Sequence, residues 1–232
     1  MTEILRILSD HFQDSQDIVE FEFLSTEKRS YDAPIVAMSS SLKGFLPVPR
    51  NLNRISRWAE STNMSKGSIL LSLSNIKGSE LRGGGQAFAH HNKMRLIGSA
   101  PKESFQKVGK RLLSKSDRLV ALSSKVKLVD KSVGNLIFLD FACKNDKTGR
   151  KNAITVIRQL GLRGVLVDSG RSFHFYSSAH FSFEDWARKM GEALLFSPIT
   201  DGAWIAHQLI EGRSALRISK KAGGELTLVA NI

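Results

Sequence analysis

Cysteine is nearly absent: Cys143 is the only one in 232 residues. That excludes an internal disulfide and any cysteine-rich zinc knuckle, and it fits a reducing compartment. No stretch approaches the roughly 20 apolar residues that a membrane-crossing helix needs. The first residues, MTEILRILSDHF, lack the basic start, long apolar centre and small-residue cleavage site of a secretory leader. The expectation is a cytoplasmic protein with no membrane partner. Phosphate loops are missing too: Lys147-Thr148-Gly149-Arg150 lacks the required glycine spacing and reads as a turn. Gly83-Gly84-Gly85 lacks the strand–glycine–helix context of a dinucleotide site. His90 and His91 are adjacent, so on a strand they would face opposite ways. No Ser/His/Asp or Cys/His set has the context of a hydrolase. Acidic residues are scarce, with 22 Asp+Glu against 34 Lys+Arg and a net charge of +12. Such an excess favours polyanionic partners, because each neutralised phosphate releases condensed counterions. A basic soluble protein with no specific anionic partner is the plainer alternative.

Hydrophobic content of 41% and charged content of 24% are those of an ordinary globular chain. Apolar spacing predicts a helix over 2–12, with Ile4, Leu5, Leu8 and Phe12 on one face. Strands are expected at 18–24, 68–74 and 94–97, a helix at 51–63, and a glycine-rich turn at 83–85. The segment 102–131 carries nine basic residues against three acidic ones, which is half of the chain's excess. Phe105, Val108, Leu112 and Leu113 give its first half a helical apolar face. Lys107, Lys110, Arg111 and Lys115 fall outside that face and are candidate nucleic-acid contacts. A solvated helix face explains the same pattern.

From residue 132 the elements sharpen. Strands are expected at 135–141, 164–167, 172–177, 215–219 and 225–230. Helices are expected at 151–160, capped by Gly161, and at 183–196, opened by Ser182. The fold class is α+β. The order β-α-β-β-α-β is that of a ferredoxin-like or RNA-recognition-motif-like sheet. The boundaries read as an N-terminal α/β lobe, 1–131, with the C-terminal core, 132–232, packed against it.

Three segments of that core carry candidate chemistry. Ile137-Phe138-Leu139-Asp140-Phe141-Ala142 is an apolar strand ending in an acid. Asp168-Ser169-Gly170-Arg171-Ser172-Phe173-His174 is a hairpin running into a strand. Asp201-Gly202-Ala203-Trp204 is followed by His207 and then by Leu216-Arg217-Ile218-Ser219. In order and strand context the set resembles the three motifs of the archaeo-eukaryotic primase (primase-polymerase) superfamily. Those motifs are Asp-x-Asp at a strand end, Ser-x-His after a glycine hairpin, and a later acid followed by an arginine-bearing strand. The segment from Trp204 to Ser219 also resembles primase domains of bacterial conflict systems.

The resemblance implies a primase-polymerase-like core that binds nucleoside triphosphate and nucleic acid. It assigns Asp140 and Asp201 to catalysis and to Mg²⁺ or Mn²⁺, and Ser172, His174 and Arg217 to the nucleotide. An accessory protein subunit is a further expected partner, in place of the helical accessory domain that helps related enzymes initiate strands. Carboxylates at i and i+2 on a strand share a face and can hold a metal pair. Here the second position is Ala142, which has no ligand atom. Asp146 and Asp168 are the nearby carboxylates open to standing in, without the i+2 spacing. Two functions follow: metal-dependent nucleotidyl transfer at a reduced site, or a non-catalytic nucleic-acid-binding or assembly subunit derived from a primase. Each residue also has a structural role open to it: a hydrogen-bonded core histidine for His174, a strand-end cap for Asp140, a helix N-cap for Asp201, an ion pair for Arg217.

Overall fold

The structure is a computed structural model that describes residues 3–27, 95–114, 118–219 and 225–232. Contacts divide the chain into two compact units, Met1–Ser25 with Arg95–Ile232, and Thr26–Met94. Apart from the end of the first strand, the second unit lies outside the described residues. The elements expected at 51–63, 68–74 and 83–85 fall there, as do His90 and His91; Lys115 is likewise outside the described residues.

Helix α1 (Glu3–Gln13) buries Ile4, Leu5, Leu8 and Phe12, the face its spacing predicts. Strands β1 (Ile18–Glu27) and β2 (Arg95–Pro101) pair antiparallel. A single 3₁₀ turn, Lys102–Ser104, leads into α2 (Phe105–Leu113), which buries Phe105, Gly109 and Leu112. The Lys102 ammonium donates to the carbonyls of Gln13 and Ser15 at 2.8 and 2.9 Å, satisfying acceptors at the end of α1. Phe12, Phe21 and Phe105 join these elements, with ring centroids 4.7 Å apart for Phe12–Phe21 and 5.1 Å for Phe21–Phe105.

The next element, β3 (Arg118–Leu128), is a strand that the charge run conceals. Val120 to Ser124 are buried without a break, so neither face alternates, and Lys125 and Lys127 blur its end. Then follow β4 (Val133–Asp140), α3 (Lys147–Gln159), β5 (Gly164–Asp168), β6 (Phe173–Phe181), α4 (Phe183–Leu194), α5 (Gly202–Glu211), β7 (Ala215–Arg217) and β8 (Thr227–Asn231).

Helix α3 begins four residues before the expected position. Asp146 accepts the Gly149 amide at 2.8 Å and caps it, so Lys147-Thr148-Gly149-Arg150 is a first helical turn rather than a loop. Gly161, with φ +67°, follows its end as expected. Ser182 opens α4 by accepting the Asp185 amide.

The described strands form one eight-stranded antiparallel sheet in the order β2-β1-β3-β4-β6-β5-β8, with β7 paired to β3. The class is therefore α+β. A β-α-β-β-α run from β4 to α4 is present, but α5 intervenes before β7, and the sheet is larger than the expected unit. The β1–β3 strands extend one side, β8 adds to β5, and β7 hydrogen-bonds β3. The position between 131 and 132 falls in the tight link from β3 to β4, and the strands on both sides of it pair with each other. Helices α4 and α5 pack on β4, and α1 packs against α2 and reaches β5 and β8. Trp186, Met190, Phe138, Phe175 and Tyr176 are fully buried in the core. Among the described residues no helix is long and apolar enough to cross a membrane.

Candidate nucleotide site

The site grows from the end of β4. Asp140 stands opposite His174 of β6, and Phe138 stands opposite Tyr176. Side chains two apart on a strand share a face, so all four project to the same side. His174 Nε2 lies 3.8 Å from Asp140 Oδ1; the histidine is buried and the aspartate side chain is 28% exposed. The Phe138 and Tyr176 rings meet edge-on at 5.0 Å. The Tyr176 hydroxyl donates to the Arg217 carbonyl at 3.3 Å, which links β6 to β7. Burial pushes the Tyr176 phenol well above its ordinary value; the Arg217 charge opposes that shift and the Asp140 charge adds to it. Tyr176 therefore stays neutral between the site's cation and its anion.

Arg217 is oriented by the backbone. Its guanidinium donates to the Ser169 carbonyl at 3.2 Å and to that of Ser219. Ser169 belongs to the hairpin that precedes His174, so the arginine from β7 and the histidine from β6 are tied to one turn. That hairpin is clamped by Asp168. One carboxylate oxygen accepts from the Asn145 side chain, and the other accepts the Gly170 amide at 2.6 Å. The Asn145 amide donates to Arg171 O at 3.1 Å, and Ser172 Oγ donates to Phe141 O. Ser172 lies just ahead of β6, and its hydroxyl fastens the hairpin to the residue after Asp140.

Asp201 reaches the same place by backbone pairing. Its amide donates to Asp140 O at 2.9 Å, and the Ala142 amide donates to Ile199 O at 2.9 Å. Asp201 Oδ1 accepts the Trp204 amide at 2.9 Å and caps α5. Burial holds His207 below the usual histidine value against the pull of the Asp201 charge.

The structure thus gathers Asp140, Ser172, His174, Asp201 and Arg217 around one strand end. It does not bring Lys107, Lys110 and Arg111 there: all three are exposed on α2, which packs against α1 and lies beside β2 and β3. Asp146 and Asp168, the possible replacements for a lost ligand, are occupied as a helix cap and as the hairpin clamp. Two contributors are not legible in the sequence. Tyr176 acts through a hydroxyl that reaches across to β7, and the Asn145–Asp168 bond joins residues on different elements.

The donor set suits less metal than the motif implies. Ala142 is exposed but supplies no side-chain oxygen, and Asp201 spends one oxygen on its cap. Among the described residues no three His, Cys, Asp or Glu side chains gather as a metal-binding group. Two carboxylates, Asp140 and Asp201, are fewer than a metal pair requires.

A family model for archaeo-eukaryotic primase 1D-like domains matches residues 101–230, more than half of the chain. The chain belongs to that primase-like family. The match begins ahead of α2 and includes β3, so it reaches further back than the three motifs. No curated protein and no solved structure matches the chain.

Proposed function

We propose that the chain is a primase-derived module that binds nucleotide and nucleic-acid phosphates and has little or no capacity for nucleotidyl transfer. One observation carries this reading: the phosphate-binding residue types are assembled and held, while the carboxylate set stops at two. His174 is fixed on β6 beside Asp140, and Arg217 is aimed by two carbonyls. A planar, permanently charged guanidinium held in this way is suited to a phosphate. Asp140 and Asp201 would hold one Mg²⁺ or Mn²⁺, which when bound would offset triphosphate charge. The competing reading is that one ion at these two residues suffices for slow strand extension. The backbone bond between Asp201 and Asp140, which places the two residues side by side, favours it.

Two measurements test the proposal. Calorimetric titration with a nucleoside triphosphate and Mg²⁺ should show binding, weakened roughly 10- to 100-fold in His174→Ala and Arg217→Gln, the scale of one lost charge-assisted hydrogen bond. Primer extension with Mg²⁺ or Mn²⁺ should give no more product with wild type than with Asp140→Ala, and more with Ala142→Asp. Extension by wild type that Asp140→Ala abolishes would instead establish transfer at the two-carboxylate site. Triphosphate affinity untouched by either phosphate-site variant would overturn the binding role.

A further inference from the structure

The hairpin that carries the phosphate site is bordered by a second basic cluster, away from the basic helix that the sequence draws attention to. Lys144, Lys147, Arg150 and Lys151 lie on the approach to α3 and its first turns, and Arg171 lies at the tip of the hairpin; all five are exposed. The two segments are bonded to each other: the Asn145 amide donates to Arg171 O at 3.1 Å, and the Asn145 side chain donates to Asp168. Arg217 grips the same hairpin at Ser169 O, 3.2 Å away. The cluster is therefore built onto the turn that holds the phosphate site.

Its acids are already engaged. Asp146 caps α3 and Asp168 clamps the hairpin, so the two carboxylates within the cluster point their oxygens at backbone or amide donors. Arg150 donates to Val229 O on the edge strand β8. The helix amides do not make up the site, because Asp146 takes the first-turn donor. Among the described residues, the five cations of the cluster outnumber these two carboxylates, which leaves a net positive patch. Stretched over two elements, that is the charge pattern that tracks a polymer of phosphates.

We infer that Lys144, Lys147 and Arg171 form a backbone-phosphate track for a polynucleotide strand running from the His174–Arg217 site. This inference rests on the proposed nucleic-acid-binding function. The occupant is a single strand recognised through its phosphates without sequence preference. The exposed cations of α2 (Lys107, Lys110 and Arg111) are a separate surface on the β2–β3 side.

The test compares three full-length proteins: wild type, the triple variant Lys144→Ala/Lys147→Ala/Arg171→Ala, and the triple variant Lys107→Ala/Lys110→Ala/Arg111→Ala. The probe is a fluorescent mixed-sequence single strand of roughly 20 nucleotides, longer than one binding site, titrated at several salt concentrations. Losing three phosphate contacts lowers the slope of log affinity against log salt by about 2 and the affinity about tenfold or more. These losses are expected for the first variant, with the second close to wild type. Triphosphate binding by the first variant should match wild type, which also shows that it is folded. A first variant that binds the strand like wild type overturns the track alone. Equal losses of strand and triphosphate would assign these residues to the nucleotide and overturn it as well. A wild type that binds triphosphate but no strand removes the nucleic-acid part of the proposed function together with the track.

Discussion

His11 lies on α1 with its imidazole held below the usual histidine value, chiefly by burial; the backbones of Ser177 and Tyr176 and the charge of Asp14 act the other way. A histidine whose folded value is depressed takes up its proton more readily in the unfolded chain. Its contribution to stability is therefore complete above the ordinary value of 6.5 and is lost as pH falls from there toward the lowered folded value. His207 has the same sign, from burial opposed by Asp201. Melting temperature should fall between about pH 7.5 and pH 5, and part of that fall should vanish in His11→Gln. Thermal melts of both proteins across that range would settle it; parallel pH curves would remove His11 from the account. At this scale the sequence was informative where a residue's role follows from its place on one strand. Asp140 and His174 are such cases in their placement at a strand end and within a strand, although the register that sets them face to face belongs to the sheet. Asp168 is not, because its role depends on Asn145, which the fold brings from another element.

Among the elements, the start of α3 departs most from its sequence pattern. Gly149 and the surrounding charges read as a turn, yet Asp146 three residues earlier supplies the cap that makes a helix of it. The glycine is needed for space: a Cβ there would lie 1.9 Å from the Lys144 backbone oxygen. Backbone cannot swing aside as a long side chain can, so Gly149→Ala should cost about 3 kcal/mol or more. Asp146→Ala should cost only about 1 kcal/mol, the worth of a typical N-cap. Chemical denaturation of the two variants beside wild type measures both. A Gly149→Ala protein as stable as Asp146→Ala would contradict the close approach. The hidden strand β3 failed to stand out for the opposite reason. It is buried on both faces, so it lacks the period-2 signal, and Lys125 and Lys127 then mask its end.

For the whole molecule, the sheet couples the two halves that composition separates. The basic segment ahead of residue 132 contains β3, and β3 pairs with β4 and also with β7, whose last residue is Arg217. A fragment of residues 132–232 would expose the inner edges of both strands and leave Arg217 without its strand partner Ala121. That fragment is expected to lack the dispersed amide spectrum of the full chain and to bind no triphosphate. A well-folded, binding-competent fragment would show that the boundary read from composition is a real one. The α+β class and the run from β4 to α4 were legible because each element there carries its own periodicity or cap. The pairing of β7 with β3 was not, since strand neighbours are chosen by packing across the whole sheet.

Asp201 serves as the cap of α5 as well as a neighbour of Asp140. The cap alone favours a side chain that accepts the Trp204 amide, so an aspartate there does not require turnover. Position 142 has no such second duty: its amide pairs with Ile199, while its side chain points outward and is free to drift. For a second metal carboxylate, the residue at 142 is therefore the informative position, and an intact Asp201 is weak testimony.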